Sequence, residues 1–299
     1  MKKILIAILC IAMILSCVFL VACDSGSDKE PPQNNTTTND GGNQNNNGNP
    51  NDPNKEDTTM KEENKLYRKT VIWNGDSICY GSSATGAWAD RIAAKNELKA
   101  WKNYGVGGGT IVENGPPHQS GKERHSVSAT LQEMYEEYPD ADYIIIEGGT
   151  NDADLLGRIT EGTVAARFGS FDPDDFSGNY STYTFCGALE SIFYRAKQLW
   201  SGKKICFIVA QKMGLNPPTV ANRYAYFEAA MQICEKWEIP YLNLWDDCYL
   251  DPNQAHMYDP NKSAEENEKT MLYRDGQHLT AAGYDVTADI IDEWLKSLE

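Results

Sequence analysis

The chain has 299 residues, with 43 acidic against 27 basic side chains and a formal net charge of −16 at pH 7. Nucleic-acid binding needs a basic footprint, so that function class is excluded. Peripheral docking on an anionic surface is disfavoured for the same reason, and the surplus acidity serves solubility.

The N-terminus reads as an export segment. Lys2 and Lys3 start it, Ile4 to Val21 is apolar throughout, and Leu20-Val21-Ala22-Cys23 ends it with a small residue before a cysteine. This three-part form marks residues 1–22 as a signal peptide. The cysteine at the cut resembles a bacterial lipobox, which implies lipidation of Cys23. An uncleaved single-span anchor is the alternative, since the apolar run reaches the lower limit for a spanning helix. Either way the body is expected outside the cytoplasm, held at the membrane. Residues 24–65 are rich in Asn, Thr, Gly, Asp and Pro and nearly free of large apolar side chains. Such a segment cannot offset its ordering entropy and reads as a disordered tether. Its root-mean-square span as a flexible coil is about 35 Å.

Residues 66–299 are long enough for one domain with a sizeable core. Thr70 to Trp73 is a β-type run stopped by Asn-Gly. Ala87 to Leu98 reads as a helix, and Ala100 to Tyr104 as a second strand ended by a glycine-rich loop. Ser126 to Tyr138 carries Val127, Leu131, Met134 and Tyr138 at helical spacing. Tyr143 to Ile146 is apolar without alternation, as expected of a strand covered on both faces. A helix over Phe185 to Trp200, a strand over Lys204 to Ala210, a helix over Thr219 to Trp237, a strand over Pro240 to Leu244 and a closing helix over Leu279 to Leu298 complete the series. This alternation predicts a parallel sheet with helices on both faces.

The body holds Cys79, Cys186, Cys206, Cys234 and Cys248, an odd number, so at least one is free in a monomer. No Cys-x-x-Cys or Cys/His metal spacing occurs, and no metal or other cofactor is expected. Asp172, Asp174 and Asp175 do not match an EF-hand loop and read as a solvated acidic turn.

Chemistry-bearing residues fall in segments that follow the strands, where ligands sit in open α/β sheets. Ser77 lies in Gly75-Asp76-Ser77-Ile78, where Gly75 permits a tight turn. It reads either as a nucleophile at the sheet rim or as a helix-capping serine. Gly105, Gly107, Gly108 and Gly109 form either a flexible turn or a place where a backbone N–H meets a ligand. The run does not have the spacing of a dinucleotide loop. Asn151, after Gly148-Gly149-Thr150, is either an Asx turn or a neutral amide donor for an oxyanion, and Asp152 reads as a structural acceptor. Asp275 and His278 share one turn, so the aspartate can orient the imidazole, or both simply face solvent. His118, His125 and His256 have no comparable carboxylate spacing and read as loop residues.

In this order the segments resemble the blocks of the SGNH (GDSL-type) hydrolase family. Gly75-Asp76-Ser77-Ile78 matches the first block and Asn103 to Gly108 the Asn-x-Gly-x-x-Gly second. Gly149 to Asp152 matches Gly-x-Asn-Asp, and Asp275 to His278 matches Asp-x-x-His. Leu279 stands where many members have proline. The resemblance implies a flavodoxin-like three-layer α/β/α sandwich with a five-stranded parallel sheet. It implies Ser77 as nucleophile, His278 as base and Asp275 as its orienter, with the Ser77 N–H, the Gly108 N–H and the Asn151 amide as the oxyanion hole. The expected activity is hydrolysis of carboxylic esters through an acyl-enzyme, with acetylated carbohydrate as the expected substrate. Tyr180, Tyr183, Trp245 and Tyr258, in the long loops 152–180 and 245–274, are the expected sugar-facing rings. A lipase or thioesterase of the same fold, or a non-catalytic glycan-binding lipoprotein, are the alternatives.

Overall fold

The computed structural model describes residues 64–81, 86–118, 120–157, 165–214, 216–253 and 258–298. The expected signal peptide, Cys23, residues 24–63 of the tether and His256 lie outside them.

Short runs of β-branched and aromatic residues alternate with helices along the whole body. In chain order they are β1 (Thr70–Asn74), α1 (Ser77–Tyr80), α2 (Trp88–Asn96), β2 (Ala100–Asn103), α3 (Val127–Glu137), β3 (Tyr143–Glu147) and α4 (Thr150–Leu155). Then come α5 (Phe185–Leu199), β4 (Lys204–Val209), α6 (Pro217–Trp237), β5 (Tyr241–Asn243), α7 (Leu244–Asp247), α8 (Ala264–Thr270) and α9 (Ala281–Ser297). The strands form one five-stranded sheet in the order β2-β1-β3-β4-β5, every pair parallel. Ile72 of β1 lies opposite Ile144 of β3, and Ile145 of β3 opposite Cys206 of β4. Every residue of β1 and β3 is buried, as their unbroken apolar pattern requires when helices cover both faces.

Right-handed crossovers put α3, α5 and α6 on one face and α2 with α9 on the other. On the second face the Trp88 indole donates to Thr287 Oγ1 at 2.8 Å and meets the Tyr284 ring edge-on at 5.8 Å. Burying a side chain of this size contributes about 2–3 kcal/mol. All five body cysteines are free and buried, and they serve as small apolar filling.

The structure adds α1, α4, α7 and α8, which periodicity does not reveal because elements of one or two turns show too few repeats. The helix expected from Thr219 begins at Pro217, since proline fits the first helical position. The closing helix begins at Ala281 and not at Leu279, because Leu279 pairs with Tyr273 in an isolated bridge and the Thr280 hydroxyl caps Gly283 N–H at 3.2 Å. Within α9, a Cβ on Gly283 would stand 2.2 Å from the Leu272 carbonyl oxygen, so this glycine lets the helix lie against the loop before it.

Gly283→Ala should therefore push α9 off that loop and destabilise the body by about 2–4 kcal/mol in urea unfolding. A loss below about 0.5 kcal/mol, the level of an innocuous surface change, would show that the helix shifts freely.

Candidate active site

The site is built on the carboxyl ends of β1, β2 and β3 and on the loop that precedes α9. At the end of β1 the chain turns at Gly75, and Asp76 caps α1: its Oδ1 accepts the Ile78 N–H at 2.8 Å. Ser77 is thereby the first residue of a helix, almost wholly buried, with its N–H among the unpaired amides of a helix start. No described residue accepts from that N–H.

After β2, Asn103 Oδ1 accepts from Gly105 N–H at 2.9 Å, and Val106 N–H donates to the Gly75 carbonyl at 3.1 Å. The glycine loop is thus stitched to the turn that carries Ser77. Gly108 has φ +77°, a conformation that favours glycine, and its N–H also has no acceptor among the described residues. The Gly109 N–H is occupied by the Val106 carbonyl at 2.9 Å, so of these two neighbours only Gly108 offers a free donor. Arg124 holds the loop from outside, donating to the Gly108 carbonyl through Nη1 and to the Pro116 carbonyl through Nε at 2.7 Å.

After β3, Gly149 (φ +110°) starts α4, which carries Asn151 and Asp152. Asn151 therefore sits in a helix, not in an Asx turn. Its Nδ2 donates to Asp76 Oδ2 at 3.1 Å and to the Gly109 carbonyl at 2.9 Å. Asp152 is fully buried and accepts the Ile111 and Val112 N–H groups at 2.9 and 3.3 Å, so it anchors the chain that leaves the glycine loop. Burial pushes its carboxyl up to about 7, against the pull of those two amides.

The last piece is the loop 273–279, closed by Arg274 N–H to the His278 carbonyl at 2.9 Å. Gly214 N–H donates to the Gly276 carbonyl at 2.7 Å, Gln211 Nε2 to the Gln277 carbonyl at 2.9 Å and the Tyr273 hydroxyl to the Lys212 carbonyl at 2.7 Å. All three tie the loop to the segment that follows β4. This places His278 Nε2 at 2.9 Å from Ser77 Oγ, and Asp275 Oδ2 at 2.7 Å from His278 Nδ1. Asp275 Oδ1 also accepts the N–H groups of His278 and Gln277 at 2.7 and 3.0 Å. Burial alone would raise the Asp275 carboxyl, but the bonds from the imidazole and those amides outweigh it and hold the group at about 2. An ionised Asp275 on Nδ1 selects the tautomer whose Nε2 can take a proton from Ser77.

Residues that sequence reading passes over complete the site. His125 is not a free loop residue: its Nε2 lies 2.9 Å from Asn74 Oδ1, and burial lowers its pKa, so it is a neutral prop behind the glycine loop. Glu147, the last residue of β3, is fully buried and its Oε2 accepts the Asp76 N–H at 3.2 Å. A carboxyl at the end of an all-apolar strand was the available signal. Tyr284 of α9 donates to the Ile78 carbonyl at 2.6 Å, tying the closing helix to α1. Among the described residues no group of three or more His, Cys, Asp or Glu is placed to hold a metal ion.

The expected sugar-facing rings are only partly available. Trp245 is buried against Tyr224 and Phe227. Tyr180 packs edge-on to Tyr194 and Trp237, and with Phe176 surrounds the buried Lys236–Glu190 ion pair. Apolar area and that cation claim these rings first. Tyr183 is exposed and Tyr258 half-buried.

A hydroxyl, an imidazole and a carboxylate in line, beside free N–H donors at the carboxyl edge of a parallel sheet, place the chain among hydrolases of the flavodoxin-like α/β class. The chain belongs to the GDSL-like lipase/acylhydrolase family, whose model matches residues 74–286, and it is an ester hydrolase. Among solved structures, a protein from Lactobacillus plantarum is similar at 22% identity and a TM-score of 0.58, over 78% of this chain and 99% of that one. Est24, a carbohydrate acetylesterase from Sinorhizobium meliloti, is similar at 14% identity and a TM-score of 0.51, over 77% of this chain and 100% of that one. At these identities the likeness is one of fold. Comparison with curated proteins found no match.

Asp152 is bound more tightly to protons in the folded body than in the unfolded chain. Its stabilisation is complete below the unfolded carboxylate range and is lost as pH rises through about 7. The melting temperature should therefore fall from about pH 4 to about pH 7 and level off above that. That window begins where the range in which Asp275 titrates ends, because the Asp275 carboxyl is held at about 2. Calorimetry of Asp152→Asn should show a shallower fall, and an unchanged slope would remove Asp152 as its cause.

Proposed function

We propose that the protein is an extracytoplasmic serine esterase that removes short acyl groups, acetyl foremost, from carbohydrate. The observation that carries this reading is the continuous relay Ser77 Oγ–His278 Nε2–His278 Nδ1–Asp275 Oδ2, at 2.9 and 2.7 Å. Ser77 Oγ attacks the ester carbonyl while its proton passes to His278 Nε2. Asp275 stabilises the imidazolium, and the new oxyanion is met by the N–H groups of Ser77 and Gly108 and by the Asn151 amide. Collapse breaks the bond to the alkoxy oxygen, and that alcohol leaves with the proton from His278. Water, deprotonated by the same imidazole, then frees the acid from Ser77. Asn151 Nδ2 is already committed to Asp76 and Gly109, so it shares or redirects the hydrogen facing Gly109 when the oxyanion forms.

Two surface features and one similar structure support the substrate reading. Beside α4 lies a cavity of about 310 Å³ lined by Ala153, Asp154, Gly157, Thr219 and Asn222, a small and largely polar set suited to hydroxyl groups. Tyr80, on the same short helix as Ser77, is 52% exposed and offers an apolar face to a sugar ring. Est24 adds a carbohydrate acetylesterase of similar fold. Location follows from the signal-like N-terminus, with Cys23 as the lipid anchor.

The test is an acyl-chain series of p-nitrophenyl esters beside acetylated xylan, mannan and peptidoglycan fragments, with Ser77→Ala as control. Acetyl should give the highest kcat/KM, acetate should be released from at least one glycan, and Ser77→Ala should retain less than about a thousandth of the rate. Each methylene seated in an apolar groove would add about 0.8 kcal/mol, so a preference for octanoyl without acetate release would make the protein a lipase. A folded Ser77→Ala variant with more than about a tenth of the activity would displace the nucleophile.

For the anchor, Cys23→Ala should lose incorporation of a fatty-acid analogue in labelled cells. Equal labelling of the variant would leave a different attachment.

A further inference from the structure

Beneath the nucleophile lie two carboxyl groups that the ester chemistry does not use. Asp76 and Glu147 are 1% and 0% exposed, and they lie close together, with the Asp76 N–H donating to Glu147 Oε2 at 3.2 Å. Two neighbouring buried carboxyls with no bonded cation repel too strongly for both to be ionised, so one of them carries a proton. Geometry says which. Asp76 Oδ1 accepts the Ile78 N–H and Asp76 Oδ2 accepts the Asn151 amide, at 2.8 and 3.1 Å, as an ionised carboxylate does. Glu147 is bonded through Oε2, which takes the Asp76 N–H at 3.2 Å, while Oε1 is buried with no partner. An orphaned oxygen is tolerable as the carbonyl of an acid and far costlier as half of a carboxylate.

The surroundings agree with a single charge on the pair. No lysine or arginine bonds either carboxyl among the described residues. The cation whose field reaches Asp76, Arg223, is itself paired bidentately with Asp154 at 3.0 and 2.5 Å. The other groups around the pair are His278, Asp152, the buried Cys79 thiol and the Tyr284 hydroxyl. Glu147 also explains Gly75, where a Cβ would stand 2.6 Å from Glu147 Oε2 and 2.7 Å from Cys79 Cβ.

We propose that Glu147 is a positioning residue in its neutral acid form: its O–H donates to the Asp76 carboxylate and so fixes the Asn151 amide where the oxyanion develops. The assignment of Asn151 rests on the acyl-enzyme reading above, whereas the protonation of Glu147 does not. One carboxylate, Asp76, then serves both the helix that presents Ser77 and the amide that meets the oxyanion. Glu147 orients that carboxylate and keeps it from demanding a second cation in the core. Its burial raises its own pKa well above the usual carboxylate range, and the negative charge of Asp76 adds to that.

The experiment combines infrared spectroscopy with a mutant cycle on the full body. A wild-type-minus-Glu147→Gln difference spectrum at pH 8 should show the carbonyl band of a protonated carboxylic acid. Its absence overturns the proposal whatever the kinetics. Glu147→Ala should lower kcat by about thirty- to a hundredfold with KM within about twofold, as expected for a displaced oxyanion donor. Glu147→Gln, a neutral isostere that still donates, should recover most of that loss. A loss in Glu147→Gln as large as in Glu147→Ala, or a loss confined to KM, counts against positioning. Combined with Asn151→Ala, the Glu147→Ala loss should vanish, because both act through one amide. Multiplying losses would instead separate Glu147 from Asn151. Asn151→Ala with unchanged kcat would remove Asn151 from the oxyanion hole and end the proposed route through it, with the infrared band still present. If Glu147→Ala does not fold, the band and the kcat of Glu147→Gln decide.

Discussion

The site depends on one buried carboxylate, that of Asp76. It caps α1 through Ile78, receives the Asn151 amide from α4 and lies against Glu147 at the end of β3. Two segments that are remote in sequence, 76–78 and 147–151, meet at this residue. A buried charge is costly unless every lone pair is used, so such a group tolerates little displacement of its partners. The price of burying Asp76 is thus turned into precision in the place where Ser77 and Asn151 must hold station.

The histidine loop is held by different means. Hydrogen bonds from the Gly214 N–H, the Gln211 amide and the Tyr273 hydroxyl fasten it to the segment after β4, and α9 is fastened to α1 through Tyr284. Ser77 and His278 are therefore set by separate parts of the fold. They share one rigid reference, the central sheet, whose β1 and β3 are wholly buried. A relay with a 2.9 Å link between residues 201 positions apart needs such a reference.

The region 165–184 shows how packing redirects residues that composition would assign to ligand binding. Phe168 meets Phe185 and Tyr226, while Phe176 and Tyr180 gather with Trp237 around the Lys236 ammonium. Lys236 and Glu190 are both nearly fully buried, and the rings shield a pair that solvent would weaken. Aromatic content in a loop thus reports on apolar area to be buried as readily as on sugar recognition.

Much of the fold was legible in the chain. The runs at Thr70 to Trp73, Tyr143 to Ile146 and Lys204 to Ala210 read as strands, the second without alternation as a doubly covered strand, and the helical periodicity between them pointed to parallel crossovers. The site was legible as residue types in fixed local patterns: Gly-Asp-Ser after the first strand, glycines after the second, Gly-Thr-Asn-Asp after the third and Asp-Gly-Gln-His before the last helix. Local pattern also allowed the pairing of Asp275 with His278, because three-residue spacing lets both side chains meet from one turn, and the structure brings them to 2.7 Å. Tertiary structure decided the rest. Strand order, the meeting of Ser77 with His278, the choice of Gly108 over Gly109 as the free donor and the joining of Asp76 to Glu147 all depend on contacts between distant segments. Such contacts leave no periodic trace, since a hydrogen bond across the fold constrains position in space and not spacing along the chain. The burial of Trp245 and the second role of His125 were hidden for the same reason: a side chain's surroundings are set by what packs on it, and one sequence does not display its neighbours.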